Sequence, residues 1–212
     1  MKQGRSVVLD KTKTATKKVS LVKPSEATGE IAEIFEDIRR VKGANFLTPN
    51  WGFFALDPDL LRHWWGLAKR LQMSEGALPK TLLNGISLVC AAEVNCVRCI
   101  NNHQTHLIEH YGMTEADAVE ILNFENSTKV DAKTKAVLRF ARKVAFAEGT
   151  TDEDFAALRE HGISDIGIAE IVSMAMLESG MARHAVGVAQ FEDCDAWPQE
   201  NLPSADYAAK MK

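Results

Sequence analysis

The chain has no apolar run near the roughly 18 residues that a membrane span needs, so a transmembrane helix is not expected. It opens without the apolar core of a secretory signal, and no export is expected. It has no excess of positive charge: 29 acids against 25 Lys and Arg give a formal charge of −4. That balance argues against a general nucleic-acid binder. No stretch alternates with the period of two that marks a half-buried strand, and no glycine-rich phosphate loop is present. Cysteine is scarce, with only Cys90, Cys96, Cys99 and Cys194. Without a signal core, and with 46% hydrophobic residues to build an interior, a reducing cytoplasmic setting is expected. There a Cys-x-x-Cys pair serves redox or metal chemistry more often than it serves as a permanent staple.

What remains is helical patterning over one domain with tails. A chain of 212 residues is long enough to bury a core. Residues 1–24 read as a basic N-terminal arm, with seven Lys or Arg against Asp10 over 1–23. Residues 25–191 read as a helical domain, and residues 192–212 as a polar tail with Pro198 and Pro203. Ile31, Ile34, Phe35, Ile38 and Val41 recur at helical spacing before Gly43. Thr48, Pro49 and Asn50 read as a turn, and a helix is expected to start at Asp57-Pro58 and run past Trp64 and Trp65 to Leu71. Leu82, Leu83, Ile86, Val89 and Cys90 form a further apolar stripe. Thr114 with Asp117, and Thr151 with Asp154, resemble capping boxes. Residues 131–147 show an amphipathic repeat, and a long segment from Ser164 to Gly187 is apolar and rich in small residues. The pattern predicts an all-α fold of about eight helices.

The reactive side chains gather in one stretch. Cys96 and Cys99 are three apart, and His103 follows four later. On a helix capped by Asn95, these three and His106 and His110 share one stripe. An imidazole can accept a thiol proton, and the thiolate is the reactive form. The helix N-terminus favours Cys96 as the activated thiol, whereas the nearby base favours Cys99. Glu93 is the local carboxylate that can orient His103, and Glu178, an acid in an apolar segment, is a second candidate. His106 and His110 read as exposed residues outside the chemistry. A zinc site built on Cys96, Cys99 and His103 lacks a fourth ligand from the same helix. Trp51, Phe53, Phe54, Trp64 and Trp65 crowd one region, and core packing accounts for them as well as an interface does.

The string Glu93-x-x-Cys96-x-x-Cys99-x-x-x-His103 resembles the signature of the alkylhydroperoxidase D-like branch of the carboxymuconolactone decarboxylase superfamily. Pro49-Asn50, Asp57 to Leu61, Leu78-Pro79 and Met113-Thr114 fit its peroxidase-related members, and the likeness covers about residues 25–191. The resemblance implies an all-helical homotrimer or homohexamer that acts as a thiol-dependent peroxidase or disulfide reductase, with no bound metal or cofactor. It implies Cys99 as peroxidatic thiol, Cys96 as resolving thiol and His103 as base, with a peroxide substrate and a dithiol electron donor. Many members carry a relay glutamate twelve residues before the first cysteine; here that position is Asn84, so the relay either falls to Glu93 or is weakened. The residue before the second cysteine is commonly aromatic and here is Arg98. A non-catalytic helical oligomer holding a small ligand or zinc, and a thiol redox sensor, are the alternatives.

Overall fold

The computed structural model describes residues 19–187. The greater part of the N-terminal arm, the 192–212 tail and Cys194 lie outside the described residues. Nine α-helices and a short 3-10 turn, Ala44–Phe46, account for the described fold, and no strand occurs among the described residues. The helices are α1 Gly29–Lys42, α2 Pro49–Phe54, α3 Pro58–Gln72, α4 Lys80–Glu93, α5 Val97–Tyr111, α6 Glu115–Leu122, α7 Ala132–Phe146, α8 Asp152–Glu160 and α9 Asp165–Gly187. The extra helix is α2. Thr48 to Asn50 is not a free turn, because Pro49 takes the first helical position, where its missing N–H costs nothing.

Local chemistry sets most of the remaining ends. Asp57 accepts from the N–H groups of Asp59 and Leu60 and starts α3. Thr114 and Asp117 form the expected reciprocal box, with Thr114 N donating to Asp117 Oδ2 at 2.9 Å and Asp117 N to Thr114 Oγ1 at 3.1 Å. The backbone N–H of Thr151 likewise donates to Asp154. The ordered core reaches back into the arm: Leu21 and Val22 pack on it, and Val22 N donates to Gly52 O at 3.1 Å.

The organising element is α4, which is buried on every face from Leu82 to Ala91. A helix that is apolar all round belongs at a centre, and α5, α6, α7 and α9 all pack on this one. The crowded aromatics serve the core: Trp51, Phe54 and Trp65 are buried, and Phe53 and Trp64 pack against them.

The long helix α9 carries two buried acids, Glu170 and Glu178. Glu170 is a structural clamp. Its carboxylate accepts from Ala77 N at 3.1 Å, Leu78 N at 2.9 Å and Arg70 Nη2 at 2.9 Å. Burial works against its charge, but Arg70 and the two backbone donors outweigh burial and hold its pKa below the usual carboxylate range. The α3–α4 link is thereby tied to α9. Gly76 is required beside it, because a Cβ there would collide with the Glu170 carboxylate. Gly76→Ala is expected to displace that carboxylate and lower unfolding stability by about 1–3 kcal/mol, measurable by chemical denaturation.

Candidate active site

The cysteine helix begins later than its spacing suggests. Asn95 does not cap it: the residue sits in the left-handed region at φ 54, a conformation Asn tolerates better than most residues. Cys96 is the N-cap, and its carbonyl accepts from Ile100 N at 2.9 Å. Cys99 therefore lies in the first turn of α5, where unpaired N–H groups and the helix dipole favour a thiolate. Cys96 and Cys99 are bonded to one another, with their Cα atoms 5.3 Å apart. Both are buried.

The helical stripe thus starts at Cys99 and continues through His103. His103 is buried, and its Nε2 lies 2.8 Å from Oε1 of Glu178, itself buried on α9. An ionised carboxylate fixes the proton on Nε2 and leaves Nδ1 as the basic nitrogen. Nδ1 has no hydrogen-bond partner among the described residues.

Cys99, His103 and Glu178 line one cavity of ≈ 50 Å³, with Lys42, Gln72 and Trp51 among the other walls. Cys96 does not line it. That volume admits a group of one or two heavy atoms, far below the roughly 300–1,000 Å³ of pockets for drug-sized ligands.

Glu93 stands apart from this cavity. It is the last residue of α4, and the turn at Asn95 breaks the register that would have placed it one turn before Cys96. Its carboxylate is nearly half exposed and lies 3.9 Å from Arg142. Of the two carboxylates anticipated for His103, the structure brings Glu178 to the ring. Asn84 is fully buried in α4, and its amide donates to Lys80 O at 2.9 Å and Gln72 O at 3.5 Å.

The remaining histidines and cysteine differ in character. His106 is buried rather than exposed, 5.2 Å from Phe46 between ring centroids. Burial, followed by the charges of Lys42, His110 and His103, pushes its pKa down and keeps the ring neutral. His110 is exposed and meets Lys42 O through Nε2 at 3.0 Å. Cys90 is fully buried, and burial, with Glu178 and Glu93 adding to it, pushes its thiol up to about 12. It is chemically quiet. Among the described residues, no group of three or more His, Cys, Asp or Glu is placed to hold a metal ion.

Lys42 is the residue that the spacing did not single out. It ends the buried stripe of α1 that runs through Phe35 and Ile38, four positions after the latter. Its Nζ donates to Gln72 Oε1 and sits 5.1 Å from the Phe46 ring centroid. Burial lowers its pKa from 10.5 to about 8, against an opposing pull from Glu178. A lysine at this position of an otherwise apolar stripe was the available signal.

The shift has a thermodynamic sign. Between about 8 and 10.5 the unfolded chain binds the Lys42 proton and the folded protein does not, so Lys42 adds stability as pH rises through that window. At pH 7 the buried charge costs stability. Lys42→Met is therefore expected to be more stable than wild type by roughly 1–3 kcal/mol at pH 7, with the gap closing toward pH 10. Urea denaturation at the two pH values measures it.

No protein-family model matches the sequence, and comparison with curated proteins finds no match. Solved structures do match. An uncharacterised peroxidase-related protein from Silicibacter is 21% identical with a TM-score of 0.67, over 76% of this chain and 83% of its own. An alkylhydroperoxidase AhpD core protein from Ralstonia eutropha, also peroxidase-related and uncharacterised, is 21% identical with a TM-score of 0.68, over 80% and 88%. The debrominase Bmp8, as a cysteine-to-alanine variant in complex with 2,3,4-tribromopyrrole, is 18% identical with a TM-score of 0.69, over 92% and 97%. The all-helical architecture is shared with these AhpD-related, peroxidase-like proteins.

Proposed function

We propose that the protein is a dithiol-dependent peroxidase in which Cys99 is the attacking thiol. The observation that carries this reading is the shared cavity of Cys99, His103 and Glu178, with the imidazole and carboxylate 2.8 Å apart. His103, oriented by Glu178, takes the Cys99 proton. The thiolate attacks the terminal oxygen of a hydroperoxide, the O–O bond breaks, and Cys99 becomes a sulfenic acid while an alcohol or water departs. Cys96 displaces the hydroxyl as water and forms the Cys96–Cys99 disulfide. A dithiol donor then reduces that bond, and its own two thiols become a disulfide. Cys99 rather than Cys96 faces the cavity, which supports the division of roles between them.

The same dithiol has the two electrons needed for other reductions, disulfides among them. The debrominase neighbour raises reductive debromination of an aryl bromide as a second reading. The small volume of the cavity favours the peroxide, whose reacting end is two oxygen atoms.

An oligomer is part of the proposal. The support is apolar surface: Leu60 and Leu67 on α3, and Met176 and Val186 on α9, are exposed, and α3 packs on α9. Scattered apolar residues alone do not make an interface, but a trimer or hexamer would give these a partner. Sedimentation should give a trimer or hexamer at micromolar concentration; a monomer removes this part of the reading.

Peroxide consumption with dithiothreitol as donor tests the chemistry. Cys99→Ser should abolish turnover, and Cys96→Ser given peroxide with no thiol donor present should stop after one equivalent with Cys99 held as a sulfenic acid. Glu178→Gln should slow turnover by roughly 100-fold, as expected when a base loses its orienting carboxylate. Glu93→Gln should slow it less; the reverse order would return the relay to Glu93. Equal rates for wild type and Cys99→Ser would remove Cys99 from the mechanism.

A further inference from the structure

The cavity beside Cys99 holds a cation that the steps above leave unused. Lys42 lines it together with Cys99, His103 and Glu178. Its side chain enters at the last turn of α1, and His110 binds the Lys42 carbonyl and helps fix that end of the helix. One of its three N–H donors goes to Gln72 Oε1. No carboxylate among the described residues pairs directly with Nζ, although the field of Glu178 reaches it. Burying an ammonium among Trp51, Phe46 and Leu177 is costly, and a long flexible side chain at a helix end normally escapes to water. Here it is held inside, with donors to spare, in a space that fits two oxygen atoms.

Peroxide reduction has a step that calls for such a group. When a thiolate attacks the terminal oxygen of R–O–O–H, the O–O electron pair leaves on RO⁻. An alkoxide is a poor leaving group unless it is protonated as it forms. By then His103 holds the Cys99 proton as an imidazolium, and a second donor on the cavity wall would let the leaving oxygen be protonated without first drawing that proton back from the base.

We propose that Lys42 is the general acid of the peroxide step, hydrogen-bonding the departing oxygen and protonating it as the O–O bond breaks. The proposal rests on the peroxidase reading above and adds the acid to its base. Sulfur and oxygen balance as Cys99–S⁻ and ROOH become Cys99–SOH and RO⁻, and the Lys42 ammonium then gives RO⁻ the proton of ROH. Lys42 is left as a neutral amine and His103 as an imidazolium. Proton transfer from His103 to Lys42 across the cavity restores both, so the pair ends the step with its starting charges. A pKa brought down to about 8 suits an acid that must release its proton near neutrality. The group so recognised is the peroxy oxygen of an alkyl hydroperoxide or of hydrogen peroxide.

The test is the leaving group. Pre-reduced wild type, Lys42→Met and Lys42→Gln are each mixed with tert-butyl hydroperoxide or with peracetic acid. The rate of Cys99 oxidation is read in a single turnover, and circular dichroism confirms that each variant is folded. Peracetic acid expels a carboxylate, which needs no proton. Both variants should lose roughly 100-fold or more with tert-butyl hydroperoxide, and less than about threefold with peracetic acid. Lys42→Gln keeps a hydrogen-bond donor but no transferable proton, so its loss separates proton transfer from simple binding. Equal loss with both oxidants, or no loss with either, overturns the role of Lys42 while Cys99 remains a peroxidatic thiol. A wild-type Cys99 that reacts with both oxidants no faster than a free thiol overturns the peroxidase reading and this proposal with it.

Discussion

The buried contact between His103 and Glu178 is what the candidate site depends on. Each group alone would be costly in this interior: a buried polar group left without its hydrogen-bond partner typically costs about 1–3 kcal/mol. Together they cross from α5 to α9, two helices whose main packing partner is α4 rather than each other. The scaffold around them is accordingly firm. α4 fills the centre, and Glu170 clamps the other end of α9 to the α3–α4 link. One long helix thus carries two buried carboxylates with different duties. Glu170 is saturated by backbone donors and a guanidinium, whereas Glu178 is committed to a ring whose second nitrogen has no partner among the described residues.

Charge placement explains why this small cavity differs from the rest of the core. The Cys99 sulfur, an imidazole, a carboxylate and an ammonium meet where the other walls are part apolar, with Trp51, Phe46, Leu177 and Met181, and part polar but uncharged, with Asn50 and Gln72. In such surroundings electrostatic effects are stronger than in water. Asn84 belongs to the same economy. Its neutral amide adds no charge to the interior, and it reaches the carbonyl of Gln72, the residue whose side chain holds Lys42.

Much of this was legible in the order of residues. The stripes of α1, α3 and α7, the box at Thr114 and the Cys99-to-His103 spacing are local features, and the structure has them where the periodicity put them. Local reasoning failed where the backbone departs from a regular path. Treating residues 93–110 as continuous helix made Glu93 a neighbour of Cys96, but the left-handed Asn95 separates them. Pro49 hid α2, since a Thr-Pro-Asn string reads equally as a turn or a helix start. The meeting of His103 with Glu178 spans 75 positions, and only the packing of α5 and α9 around α4 reveals it. Lys42 lay on a visible stripe, but its apolar neighbours drew the attention.

Cys90 carries a practical consequence. Its sulfur is sealed within α4 and holds its proton until strongly alkaline conditions, so a thiol reagent that captures it at neutral pH has met an opened molecule. Labelling there is a built-in gauge of the native state, read in the same sample that reports on the reactive pair.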